Sequence, residues 1–133
     1  MRLLLDTNQI LFIANDPARL SPRARDLLWA RTTELFMSSV SLWEIDLKHR
    51  APTRSGGSRL PLRAPLTAIV GYLLRKGVQS LGLEPRHVIA ELTPGLAHND
   101  PFDLMLLKQA QLEGLKLLTS DRALARHPLA IAA

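Results

Sequence analysis

The sequence predicts an α/β domain: a doubly wound parallel sheet of four to five strands with helices on both faces. Three observations lead there. Short apolar runs alternate with helical stretches along the whole chain, the pattern that parallel βαβ units produce. Two of those runs, RLLL at 2–5 and LKLLTS at 115–120, are closed by an acid, Asp6 and Asp121. The length of 133 residues, 47% of them hydrophobic, suits one ordinary domain with a real core, spanning residues 1–133.

The elements follow in order. RLLL is a short buried strand, stopped by the turn residues of DTN. TNQILFIAND then fits a helix with Ile10, Ile13 and Ala14 on one face, and Pro17 stops it. Ser21 caps a second helix, SPRARDLLWART, with Pro22 at its first position. ELFMSSV at 34–40 is the second strand, and a helix from Ser41 through SLWEIDLKHR runs until Pro52 blocks it. Residues 51–64, APTRSGGSRLPLRA, are a loop by composition. PLTAIVGYLLRKG is a helix between Pro65 and Gly77, VQSLGL a third strand, and PRHVIAEL a short helix ended by Pro94 and Gly95. Asp100 caps a long helix that begins at Pro101, carries Asp103 in its first turn and closes at Gly114. LKLLTSD is the fourth strand, DRALARH a short helix, and PLAIAA a final edge strand.

Composition removes several classes of function. There is no cysteine, hence no disulfide framework, thiolate chemistry or cysteine metal site. The longest apolar stretch, LTAIVGYLL at 66–74, is far below the ~20 residues of a membrane-spanning helix. The start, MRLLLDTN, has three leucines before Asp6 and does not read as a signal peptide, so a cytoplasmic protein without membrane association is expected. The net charge is +5, and its distribution is uneven. No acid occurs between Leu47 and Leu83, where Lys48, Arg50, Arg54, Arg59, Arg63, Arg75 and Lys76 fall. Such a run is either a solvated basic face or a footprint for a polyanion.

Ligand sites in doubly wound sheets lie at the carboxyl ends of the strands. Asp6 and Asp121 arrive there by ending strands. Glu44, read as the first turn of the helix after strand two, and Asp103, in the first turn of the helix leading to strand four, arrive there by starting helices. Each has a purely structural explanation. Asp6 and Asp121 make good N-caps, and Ser41-x-x-Glu44 has the form of a capping box. Together they are harder to dismiss, because clustered carboxylates repel and raise one another's pKa unless a cation sits among them. The four histidines show no ligand spacing, so the implied cation is a hard one on oxygen donors, Mg²⁺ or Mn²⁺. Such ions activate water and stabilise charge on a phosphoryl group. A basic surface beside an acidic metal pocket reads as a phosphodiesterase acting on nucleic acid. A dehalogenase-type phosphatase is excluded, since its D-x-D after the first strand is here Asp6-Thr7-Asn8. A receiver domain is excluded by the lack of its acidic pair and its lysine.

LLLDTN, SVSLWEIDLK, HNDPFDLMLLKQA and LKLLTSD, in this order and spacing, resemble the PIN domain, specifically the VapC-type ribonuclease toxins of toxin–antitoxin systems. The resemblance covers nearly the whole chain. It implies the strand order 3-2-1-4-5 and catalytic, metal-binding roles for Asp6, Glu44, Asp103 and Asp121. It implies an endoribonuclease dependent on one or two Mg²⁺ or Mn²⁺ ions, a homodimer, and a small VapB-type antitoxin as partner. Leu104 stands where the family often has arginine, Lys108 where small residues are common, and Asn8 where histidine is frequent. Thr7, Asn8, Thr119 and Ser120 are candidates for hydrogen bonds that orient the acids, and equally are ordinary strand-end residues. Arg50, Arg54, Arg59 and Arg63 are candidates to steer RNA. The alternative is a catalytically inactive PIN-like module that binds RNA or protein, a reading that loss of a carboxylate would favour; all four are present.

Overall fold

The computed structural model describes all 133 residues. Five strands, β1 (Arg2–Leu5), β2 (Glu34–Ser38), β3 (Gln79–Leu81), β4 (Lys116–Thr119) and β5 (Ala130–Ala132), form one sheet. All pairings are parallel and the order is β3-β2-β1-β4-β5, as the resemblance implies. Strand order reverses at β1. In register, Leu4 lies between Phe36 of β2 and Leu117 of β4.

Why β1 is an unbroken leucine run follows from its place. Leu3, Leu4 and Leu5 are all 0% exposed, because helices cover both faces of the central strand. Leu3 and Leu5 join Ile10, Ala24, Met37, Ile45, Ile69, Leu73 and Leu118 on one face. Leu4 points the other way, into Val40, Leu106, Leu107, Ala110 and Leu117. Each buried leucine contributes about 1.5–3 kcal/mol relative to exposure.

The helices are α1 (Thr7–Asn15), α2 (Pro22–Trp29), α3 (Ser39–Arg50), α4 (Leu66–Arg75), α5 (Pro85–Ile89) and α6 (Pro101–Glu113). Residues of α1, α2 and α4 supply the first core face and α6 the second, while α3 reaches both through Ile45 and Val40. No helix is long and apolar enough to cross a membrane.

Several boundaries differ from expectation. Strand β2 stops at Ser38, whose hydroxyl accepts a hydrogen bond from Val40 N (3.0 Å), so α3 begins at Ser39 and not at Ser41. Of the closely spaced serines the first is the cap, because Val40 must already be helical to reach the core. Ser41 and Glu44 therefore form no capping box, and Glu44 lies in the second turn of α3. Helix α2 ends at Trp29, short of Thr32. Helix α5 ends at Ile89, where Ala90 turns extended. Strand β4 ends at Thr119, leaving Ser120 between it and Asp121. After Asp121 there is only a 3-10 turn at Leu124–Arg126, since Pro128 holds His127 in an extended conformation.

The 51–64 loop carries an antiparallel bridge, Pro52 to Ser58, and is tied to the end of α1: Asn15 Nδ2 donates to Pro61 O (3.2 Å) and accepts, through Oδ1, from Arg63 N (3.0 Å).

Helix α6 starts and stops as its sequence demands. Asp100 Oδ1 accepts from Phe102 N (2.9 Å) and Asp103 N (3.2 Å), Pro101 occupies the first position, and Gly114 closes the helix at φ 66°. Replacing Asp100 by alanine is expected to cost about 1 kcal/mol, the usual loss for a cap. Urea denaturation of Asp100→Ala against the native chain measures this, and an unchanged midpoint would remove the capping role.

Candidate active site

Parallel pairing brings every strand's carboxyl end to one edge, and there the acids gather. Asp6 follows β1 directly and is 4% exposed. Its two oxygens are both engaged: Oδ1 accepts from Thr7 N (2.8 Å) and Oδ2 from Thr119 Oγ1 (2.6 Å). Thr119 Oγ1 in turn accepts from Asp121 N (3.0 Å), so one hydroxyl sets the spacing of β1's acid from β4's. Asp121 is exposed; its Oδ1 accepts from Ala123 N (2.8 Å) and Leu124 N (3.1 Å).

Glu44 reaches the same place from the second turn of α3 because Thr7 draws it in. Thr7 Oγ1 donates to Glu44 Oε1 (2.7 Å), and lies 3.0 Å from the buried Ser41 Oγ. Glu44 Oε2 accepts from Lys48 Nζ (2.6 Å), one helical turn on. Asp103, from α6, accepts no hydrogen bond on its carboxylate; His98 Nε2 stands 3.7 Å from its Oδ2 and is itself buried without a hydrogen-bond partner.

Electrostatics shows the strain of this gathering. Burial pushes the Asp103 carboxyl up to about 7, and the charges of Asp100, Asp6, Glu44 and Asp121 add to the rise. Burial also raises Asp6; its hydrogen bonds from Thr119 and Thr7 oppose this, and the charges of Glu44 and Asp121 reinforce it. Lys48 is pulled the other way: its bond to Glu44 holds the ammonium above the usual lysine range despite partial burial, with Asp100 and Asp103 contributing. One lysine against five carboxylates leaves net negative charge in a partly dry site.

Of the expected orienting residues, Thr7 and Thr119 hold acids as described, whereas Asn8 and Ser120 are exposed and bond none of them. The structure also sets the basic loop apart. Arg50 pairs with Asp46 (2.8 Å) at the last residue of α3, and Arg54, Arg59 and Arg63 follow it on a loop tied to the C-terminal end of α1. Helix α3 starts at the carboxyl edge and is twelve residues long, which at ~1.5 Å per residue sets the loop most of a helix length away from that edge. Sequence reasoning missed Lys48 as Glu44's counter-ion, though the Glu44-to-Lys48 spacing was its signal, and missed His98, which has none.

The donor chemistry fits a hard divalent cation: oxygen ligands only, with repulsion that a cation would relieve. As they stand, no three of these side chains converge closely enough on one point to hold an ion. Asp6 and Glu44 are pinned, but both Asp103 oxygens and Asp121 Oδ2 carry no hydrogen bond and are the groups able to close on one.

The fold and its carboxylate ring together define a class, a doubly wound α/β domain with an acidic centre at the switch in strand order. The family model described as PIN domain matches residues 3–129. The chain belongs to the PIN domain family. Members of that family are generally nucleases, and they generally use divalent metal ions. Among solved structures, the chain is similar to one in the crystal structure of VapBC2 from Rickettsia felis bound to a DNA fragment from its promoter. The TM-score is 0.68 at 18% identity, over 100% of this chain and 98% of that one. No curated protein matches the sequence.

The raised Asp103 has a consequence for stability. Between the ordinary carboxyl value of 3.8 and about 7, the folded chain holds a proton that the unfolded chain has lost. Without divalent ions, stability therefore falls as pH rises through that window. Urea midpoints in EDTA from about pH 4 to about pH 8 are expected to decline for the native chain and much less for Asp103→Asn. Parallel declines in both would place the proton elsewhere.

Proposed function

We propose that this protein is a metal-dependent endoribonuclease and the toxin of a VapBC-type pair. The observation that carries the reading is the meeting of four carboxylates, from four separate segments of a PIN-family chain, with too little positive charge among them. Asp6, Asp103 and Asp121 would hold one or two Mg²⁺ or Mn²⁺ ions, with Glu44 as a further ligand or an orienting base. An ion held there supplies the activation of water and the stabilisation of charge on the phosphoryl group.

The chain's own residues do the rest. Thr119 and the Thr7 amide keep the Asp6 carboxylate aimed into the site, and Thr7 with Lys48 fixes Glu44. The start of α6 favours an ionised Asp103 through its helix dipole, against the effect of burial. In-line cleavage of an RNA phosphodiester then leaves a 5′-phosphate and a 3′-hydroxyl. Arg50, Arg54, Arg59 and Arg63 add long-range attraction for a polyanion.

Likeness to the Rickettsia felis VapBC2 structure supports a small VapB-type antitoxin as partner; a homodimer working in the cytoplasm belongs to the same proposal. His98 and Lys48 beside the acids do not alter the reaction class, because neither replaces a carboxylate.

The test is a cleavage assay on a mixed RNA pool with 5′-end mapping. Cleavage is expected with Mn²⁺ or Mg²⁺ and none in EDTA. Asp103→Asn should keep the fold and lower the rate by at least about a hundredfold, the scale of losing a group that stabilises developing charge. Asp6→Asn should do the same. Cleavage that persists in EDTA, or that survives both substitutions, rules the reading out.

A further inference from the structure

A second charged feature adjoins the acids and has no role so far. Beside the carboxyl ends of β4 and β5 lies an open cleft of about 560 Å³, lined in part by Ser21, Arg23, Thr119, Ser120, Arg122 and Arg126. None of its lining residues is an acid. Arg23, Arg122 and Arg126 form no ion pair and no side-chain hydrogen bond. Three guanidinium groups share the walls of one cleft, and no side chain lining it carries the opposite charge.

Two features tie the cleft to an anion. Arg23 is the second residue of α2, and the first turn of that helix contains no acid. A cation is the wrong sign for a helix start, whose free N–H groups and dipole favour negative charge. The unfavourable placement is relieved when an anion lies between the helix start and the guanidinium. The second feature is position. Thr119 lines the cleft and donates to Asp6 Oδ2 (2.6 Å), so the arginine floor and the carboxylate site share a wall one residue thick. Arg126 also lines a neighbouring cavity of about 250 Å³, whose walls include His127 and His98, the residue that stands beside Asp103.

We propose that this cleft holds the backbone phosphates of single-stranded RNA next to the bond being cut, with Arg23, Arg122 and Arg126 as the phosphate ligands. The proposal rests on the ribonuclease reading and adds the path of the strand. It differs from a track along the 51–64 loop, whose arginines sit at the far ends of α1 and α3. Guanidinium groups suit the task because their fork of donors matches two phosphate oxygens at once.

The experiment uses the full chain with Asp103→Asn, so that RNA is bound without being cut, and a labelled single-stranded ribo-oligonucleotide read by fluorescence anisotropy across a salt series. Arg23→Gln, Arg122→Gln and Arg126→Gln together are compared with Arg54→Gln, Arg59→Gln and Arg63→Gln together. The cleft triple is expected to weaken binding at least about tenfold more than the loop triple. It should flatten the slope of log affinity against log salt by about 2, from about 0.7 per phosphate contact on single strands. Each substitution alone is read if the triple does not fold. A cleft triple that loses no more than the loop triple overturns the proposal, and the ribonuclease reading then stands if the native chain cuts RNA. If the native chain neither binds nor cuts RNA, that reading falls. The cleft is then decided by pyrophosphate in EDTA: thermal stabilisation of the native chain but not of the cleft triple keeps an anion site there, and equal shifts abolish it.

Discussion

Parallel pairing of β1 with both its neighbours is the constraint on which the rest depends. Because β1 lies between β2 and β4, both its faces must be apolar, and Leu3, Leu4 and Leu5 are fully buried. Because all strands run the same way, whatever follows them collects at one edge. Asp6 is thereby fixed at the centre of that edge with almost no freedom, and Thr119 at the end of β4 completes its hydrogen bonds. The acids from α3 and α6 are brought to a position already set by the sheet.

The site is a balance of two opposing effects. Burial and like charge drive Asp103 and Asp6 toward the protonated form. Hydrogen bonds from Thr7 and Thr119, the α6 dipole and the Lys48 ammonium favour the ionised form. The ionising influences reach Glu44 directly, as a hydroxyl on one oxygen and an ammonium on the other. They do not suffice for Asp103, whose oxygens accept nothing. A cation among the acids would settle the difference, and Asp103 and Asp121 are the groups still free to move toward it.

How much of this was legible in the sequence depends on what fixes each feature. The strands and the capping of α6 follow from local rules: a leucine run between turn residues, an Asp-Pro pair before an apolar helix, a glycine after it; the sheet order was implied by the family resemblance and not by any local rule. The start of α3 was misread because Ser38, Ser39 and Ser41 are equally good caps by type, and only the depth of Val40 in the core decides among them. The role of Thr7 is a contact between residues 37 positions apart, and local pattern contains nothing of it. The same holds for the arginines. The acid-free run from 47 to 83 was conspicuous in the sequence, yet the cleft beside Asp6 is assembled from Arg23, Arg122 and Arg126, which are scattered through it.

The central claim is that the carboxylates form a cation site. Anomalous scattering from crystals grown with Mn²⁺ near neutral pH measures this without reference to activity. The account expects one or two manganese peaks bounded by Asp6, Asp103 and Asp121 in the native chain, lost in Asp103→Asn. Manganese bound elsewhere, or no peak among these residues in well-ordered crystals, would contradict it.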